Sequence, residues 1–243
     1  MKIVEKIQKD RKYLLENGPI TIVAFGDSIT HGAFNIGEMD FEAVYHNVLR
    51  RKINAIGNYY PVNVINAGIC GMTAISSLSR IESQVLRYKP DLVIVCFGLN
   101  DVNYEKQTYL DSLQTIFNRC HEAKSDVIFL TPNMLNTYVA EDTYPEHREY
   151  AKKMAFIQTS GRMDEYMSSA KDLAYTMNIT VCDCYYKWKK LNQTQDTTML
   201  LANKINHPTK EMHELFAQSL FDTIFKSMEV NNKSVDDGLF TQN

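Results

Sequence analysis

No run of about 18 apolar residues occurs in this 243-residue chain, so no segment reads as a membrane-spanning helix. The opening residues, MKIVEKIQKDRKYLLENG, interleave charges throughout and lack the apolar core of a secretory signal, which makes a cytoplasmic enzyme the expectation. An excess of positive charge is also missing. With 26 Lys and Arg against 29 Asp and Glu, the net charge of −3 offers no electrostatic pull toward nucleic acid or anionic membrane. Neither G-x-G-x-x-G nor G-x-x-x-x-G-K-[ST] is present, so a phosphate-cradling loop is not expected. The five cysteines, Cys70, Cys96, Cys120, Cys182 and Cys184, are odd in number and scattered, as suits reduced and mostly buried thiols. Cys182 and Cys184, two apart in a predicted strand, are expected on opposite faces, unable to clamp one metal. No His, Cys and Asp spacing suggests a metal site, and no cofactor is implied.

What is present is an alternation of strand and helix patterns. Apolar, β-branched runs at 20–25, 62–67, 91–98, 126–131 and 179–184 read as strands. Between them lie helical periods: Phe41, Val44, Tyr45, Val48 and Leu49; Ile75, Leu78, Ile81 and Val85; residues 108–123; and a long stretch around 146–177. Met212, Leu215, Phe216, Leu220 and Ile224 mark a closing amphipathic helix. Ile3, Val4, Ile7, Leu14 and Leu15 predict an N-terminal helix over 1–18, stopped by Gly18-Pro19. Parallel strands need crossover connections, so the pattern predicts an α/β fold, a parallel sheet with helices on both faces. No repeat or linker interrupts it. A single domain over 1–230 is expected, with a polar, flexible tail at 231–243.

In such sheets ligands bind beyond the carboxyl ends of the strands. The loops there carry GDSIT with Ser28, NAGICGMT with Gly71, GLND with Asn100, and, before the closing helix, INHPT with His207. These are the parts of an acyl-transfer site: a hydroxyl to attack, an imidazole to take its proton and return it, and N–H donors for the oxyanion. Asp27 reads as a brace for the serine loop, with Asp27 and Asp101 also candidates for substrate contact. His31 is a rival base, set aside because His207 holds the motif position. His46, His121 and His147 are expected on exposed or half-buried helices.

The four blocks resemble the GDSL, or SGNH, hydrolase family, whose order and spacing residues 20–228 follow. The resemblance implies a three-layer, flavodoxin-like fold with a five-stranded parallel sheet, and ester hydrolysis through a serine acyl-enzyme. It makes Ser28 the nucleophile, His207 the base, and Ser28, Gly71 and Asn100 the oxyanion donors. His213 fits a family position that is more often structural than catalytic.

One position departs from the family. Lys204 stands where an aspartate usually precedes the catalytic histidine by three residues, and a lysine cannot accept the imidazole N–H. A backbone carbonyl within 203–205, the Asn203 amide, Asp183 or Asp196 are the candidate acceptors, a carbonyl first and Asp183 next. The segment 133–150 is expected to overhang the site. Its tyrosines, Tyr138 and Tyr144 foremost, sit among polar residues and suit stacking on a sugar. Tyr185, Tyr186 and Trp188 are candidates for the same role or for the core. The expected substrate is a small-molecule ester, an O-acetylated sugar. A lysophospholipase, thioesterase or acyltransferase is the first rival, and a non-catalytic binding module the second. Nothing in the sequence sets the oligomeric state.

Overall fold

The computed structural model describes residues 1–56 and 59–236. Instead of one N-terminal helix, two short ones form, α1 (Lys2–Ile7) and α2 (Arg11–Asn17). Asp10 causes the break: its extended backbone lets its carboxylate accept the Tyr13 N–H at 3.1 Å, capping α2. Ile3 is fully buried, whereas Leu15, predicted on the same face, is exposed.

The chain then alternates through β1 (Ile20–Gly26), α3 (Ser28–His31), α4 (Tyr45–Ile56), β2 (Val62–Gly68), α5 (Ala74–Ser77), α6 (Ile81–Gln84) and β3 (Leu92–Cys96). It continues through α7 (Lys106–Glu122), β4 (Asp126–Leu130), α8 (Arg148–Thr159), α9 (Arg162–Thr176), β5 (Thr180–Cys182), α10 (Cys184–Leu191) and α11 (Lys210–Asp236). The expected flexible tail therefore falls partly on α11, which runs on to Asp236, and partly on residues 237–243, outside the described residues. Phe41, counted with the α4 period, lies ahead of that helix and is exposed.

All strand pairs are parallel, in the order β2-β1-β3-β4-β5. α1, α4 and α11 pack together on one face, and α5, α7, α8 and α9 on the other, giving three layers. β1 and β3 are buried almost throughout, as expected of central strands covered on both sides. The chain runs outward from β1 to β2 and returns to β3 on the other side of β1. That reversal opens a crevice between the carboxyl ends of β1 and β3. The register makes these ends level: Gly26 pairs with Gly68 on one side and with Cys96 on the other. The loops after β1, β2 and β3 therefore leave the sheet at one height.

Close packing at this rim needs glycine. A Cβ on Gly68 would collide with the backbone of Thr30 and His31, so only glycine lets α3 lie against the end of β2. The two neighbouring cysteines overturn an expectation. Cys182 ends β5 and Cys184 begins α10, and this switch cancels strand alternation and brings the sulfurs to 4.0 Å. All five cysteines are free thiols. Among the described residues, no helix is long and apolar enough to cross a membrane, and no cluster of three His, Cys, Asp or Glu could hold a metal.

Candidate active site

Ser28 lies two residues past the end of β1 and opens α3, with Asp27 as its N-cap: the Asp27 carboxylate accepts the Ile29 N–H at 3.0 Å. The Ser28 N–H thus belongs to the unpaired donors at the start of a helix. His207 arrives from the opposite end of the sequence, and its Nε2 lies 3.0 Å from Ser28 Oγ.

The other ring nitrogen answers the question posed by Lys204. His207 Nδ1 lies 2.9 Å from the backbone carbonyl of Phe34. A carbonyl oxygen only accepts, so Nδ1 carries the proton and Nε2 presents its lone pair to Ser28. The acceptor is a carbonyl, as expected, but it comes from the loop after α3 rather than from residues 203–205. None of the named side chains reaches the ring. Asn203 Oδ1 instead accepts the N–H groups of Ile205, Asn206 and His207 at 2.9–3.0 Å, folding the turn that delivers the imidazole. Lys204 takes the left-handed conformation that this turn imposes, with φ 59°, and its ammonium lies 3.9 Å from Asp142. Asp183 caps α10 and pairs with Lys171 at 2.7 Å. Asp196 caps the turn at Thr197–Leu200 and accepts the Tyr138 hydroxyl.

The Phe34 carbonyl is itself held in place. Ala33 bridges Met39, the Phe34 N–H donates to the Glu38 carbonyl at 3.0 Å, and Lys210 of α11 binds Asp40 at 2.6 Å. Behind the Phe34 ring, at 4.7 Å, sits His213. It is fully buried, its Nδ1 accepts the Tyr45 N–H at 3.1 Å, and burial pushes its pKa down to about 3. His213 is a neutral packing partner, in keeping with the structural role expected of it. Burial also lowers the pKa of His207, while the Phe34 hydrogen bond opposes this, so the imidazole stays a free base below its ordinary range.

Gly71 adopts φ 76°, a conformation that favours glycine, at the exposed rim of the loop after β2. The Asn100 amide donates to the Met72 carbonyl at 3.0 Å, which ties the loops after β2 and β3 together and leaves its second N–H. Ser28, Gly71, Asn100 and His207 are thus brought to one rim. Asp27 and Asp101 are not placed for substrate contact, because both are buried beneath it. Asp101 Oδ1 accepts the Ala74 N–H at 2.8 Å. Burial raises Asp27 to about 7, with a contribution from the charge of Asp101, and raises Asp101 to about 6.

His31 braces two loops and does not serve Ser28: its Nδ1 meets the Cys70 N–H at 3.3 Å and the Cys70 sulfur at 3.2 Å. His46 is buried, not exposed or half-buried. Tyr185 and Trp188 belong to the core, whereas Tyr186 is exposed. The segment 133–150 divides. Its tyrosines Tyr138 and Tyr144 are exposed, but its first residues are buried against the histidine loop. Asn133 Nδ2 donates to the Asn206 carbonyl and the Asn136 N–H to the Ile205 carbonyl, each at 2.9 Å. These two asparagines, and Phe34, are site residues that sequence reasoning missed. Phe34 acts through its carbonyl, which every residue has, so no side-chain signal marked it.

The sequence profile of the GDSL-like lipase/acylhydrolase family matches residues 24–215. The chain belongs to that family of carboxylic ester hydrolases. Over 220 residues it is 26% identical to an acetylxylan esterase of Geobacillus stearothermophilus, covering 84% of this chain and 93% of the relative. The crystal structure of that esterase shares the fold, with a TM-score of 0.65 at 22% identity over 84% of this chain and 94% of the other. A lipase/acylhydrolase structure from Enterococcus faecalis is 30% identical over 83% of this chain and 93% of its own, with a TM-score of 0.63.

Proposed function

We propose that this protein is a serine esterase that removes short acyl groups, acetyl foremost, from a carbohydrate through an acyl-enzyme. Ser28 Oγ attacks the ester carbonyl while His207 Nε2 takes its proton. The tetrahedral oxyanion is held by the N–H groups of Ser28 and Gly71 and the amide of Asn100. As the carbonyl re-forms, the imidazolium protonates the departing sugar oxygen and leaves an acetyl ester on Ser28. Water, deprotonated by the same imidazole, then releases acetate and restores the serine. The Phe34 carbonyl fixes the tautomer without adding a negative charge, so the pair works as a dyad, and we expect it to be slower than a triad with an aspartate.

The observation that carries this reading is the relay of 3.0 Å from Ser28 Oγ to His207 Nε2 and 2.9 Å from Nδ1 to the Phe34 carbonyl. The carbohydrate assignment draws support from the similarity to the acetylxylan esterase. In variants of that enzyme described as catalytic mutants, the replaced serine and histidine stand 179 positions apart, the separation of Ser28 and His207 here. The five free thiols favour a cytoplasmic protein.

The test is labelling by an organophosphonate together with turnover of p-nitrophenyl acetate. We expect label on Ser28 alone, and a loss of about 10⁴-fold or more in kcat for Ser28→Ala. A lipolytic reading is favoured by the likeness to the Enterococcus faecalis lipase/acylhydrolase. It predicts kcat/KM climbing from two-carbon to twelve-carbon acyl esters, where the carbohydrate reading predicts preference for sugar acetates.

A further inference from the structure

Beneath the rim lies a buried cation that the acyl-transfer steps above do not use. Arg80 ends the turn Leu78–Arg80 between α5 and α6 and is only 7% exposed. Lys6 is the other buried lysine or arginine among the described residues, and it faces Asp91 at 2.8 Å. The partners of Arg80 are different. Its guanidinium donates to the carbonyls of Ala67 at 2.6 Å and Gly26 at 3.2 Å. It donates also to the Ser77 hydroxyl at 3.2 Å and the Gln84 amide oxygen at 3.1 Å. All four are neutral, and Nε is buried with no partner. Burial lowers the pKa to about 10, which leaves the group charged at neutral pH. A buried charge facing no opposite charge costs free energy, and an apolar side chain of similar volume would fill the space without that cost. The explanation therefore lies in what the fork holds.

It holds the strand ends from which two site loops depart. Gly26 ends β1 two residues before Ser28, and Ala67 lies in β2 four residues before Gly71. The strands are level here, Phe25 pairing with Ala67 and Gly26 with Gly68. The Gly26 carbonyl also accepts the Ile69 N–H at 3.2 Å, so one oxygen joins the serine side to the loop that carries Gly71. A guanidinium is a planar fork of fixed geometry, and bridging both carbonyls fixes their separation. The Ser77 bond extends the clamp toward the third loop. Ser77 ends α5, and Ala74 at the start of α5 gives its N–H to Asp101, the neighbour of Asn100. Donors on all three loops must converge on one oxygen, and an error of about 1 Å in such a constellation can cost on the order of 10²-fold in rate.

We propose that Arg80 is a positioning residue for the ester hydrolysis: by clamping the Gly26 and Ala67 carbonyls it sets the separation of the Ser28 and Gly71 N–H groups between which the oxyanion forms. The inference rests on the serine-esterase reading above and on no particular acyl group or alcohol. Its test measures kcat and KM on p-nitrophenyl acetate in wild type, Arg80→Met and Arg80→Lys, per folded molecule, with the folded fraction taken from urea denaturation. Beside it runs the inhibition constant of an aryl trifluoromethyl ketone, whose adduct with Ser28 carries the same oxyanion. Arg80→Met should lower kcat about 10²-fold at nearly constant KM and weaken the ketone by a similar factor. Arg80→Lys keeps a charge and a donor but not the rigid fork, so it should fall between, about tenfold below wild type in both readouts. If Arg80→Met does not fold, that parallel tenfold loss in Arg80→Lys supports the proposal, and wild-type values in both readouts overturn it. A kcat for folded Arg80→Met within about threefold of wild type, whatever its melting temperature, makes Arg80 merely structural and overturns the proposal while the esterase stands. A loss of kcat with undiminished affinity for the ketone overturns it too. No turnover by wild type, with no phosphonate label on Ser28, overturns the esterase reading and this inference together.

Discussion

At the amino-terminal end of the strands, Lys6 and Asp91 are buried together, and their charges are fully engaged. The Lys6 ammonium meets Asp91 at 2.8 Å and the carbonyls of Asn17 and Pro19 at 3.3 and 3.2 Å, and Asp91 also accepts the Thr21 N–H at 2.9 Å. At the carboxyl-terminal end, several buried polar groups are satisfied within the protein on one side only. Asp27 Oδ2, Asp101 Oδ2, His46 Nδ1 and His213 Nε2 have no hydrogen-bond partner. A satisfied buried pair fixes structure, here closing the N-terminal helices onto the sheet. Half-satisfied groups cost free energy, and such costs gather where function demands them. The contrast places stabilising polar chemistry at one end of the sheet and reactive polar chemistry at the other.

The largest effect that would test this contrast is at the satisfied end. Asp91→Ala leaves the Lys6 ammonium buried without its counter-ion, a change of about 3–5 kcal/mol for a broken buried pair. Urea denaturation should show that loss, with turnover per folded molecule preserved; stability near wild type would break the comparison. At the other end the sharpest counterpart is Asn100→Ala. Removing the oxyanion donor proposed for Asn100 should lower kcat by about 10²–10³ with little change in KM. A melting-temperature drop with kcat intact would make Asn100 a structural residue instead.

Asp27→Asn probes the half-satisfied groups directly. Burial raises the Asp27 carboxyl from 3.8 to about 7 in the folded protein, so it folds most favourably when protonated. The stability it contributes is complete below its unfolded pKa and is lost as pH rises through about 7. The asparagine variant cannot ionise. Its melting temperature relative to wild type should therefore climb between pH 4 and pH 8, by at least a few degrees for a chain of this size. Calorimetry across that range checks it, and a difference independent of pH would show Asp27 to be satisfied after all. The smallest effects belong to the carboxylates that do not reach His207. Asp183→Asn and Asp196→Asn should each lower kcat less than about tenfold, against roughly 10⁴ where an aspartate serves the imidazole in the serine-protease example.

Much of this was legible in the chain itself, for a physical reason. The central strands are covered on both faces, so their residues must be apolar and β-branched in unbroken runs, and such runs can be read directly. The four site blocks were equally legible. Each combines a side chain of special chemistry with local backbone demands: a cap at Asp27, a left-handed turn at Gly71, a ladder of N–H groups around Asn203. Local demands of this kind leave local traces. The N-terminal break at Asp10 left one too, an N-cap residue ahead of a helical stretch, but the apolar period on either side of it masked the signal.

What only the tertiary structure decided are the relations between distant segments. The acceptor for His207 comes from a position 173 residues away and uses a backbone carbonyl, which no residue type announces. The unpartnered nitrogen of His46 is visible only once α4 has packed against Thr30, and the Arg80 clamp exists only where the ends of β1 and β2 meet the turn after α5. The sequence by itself determined the sheet and the loops that bring Ser28, Gly71, Asn100 and His207 to one rim, because each is written in its own neighbourhood. The orientation of the imidazole and the clamp beneath the rim were left to the packing of segments that the chain alone does not place side by side.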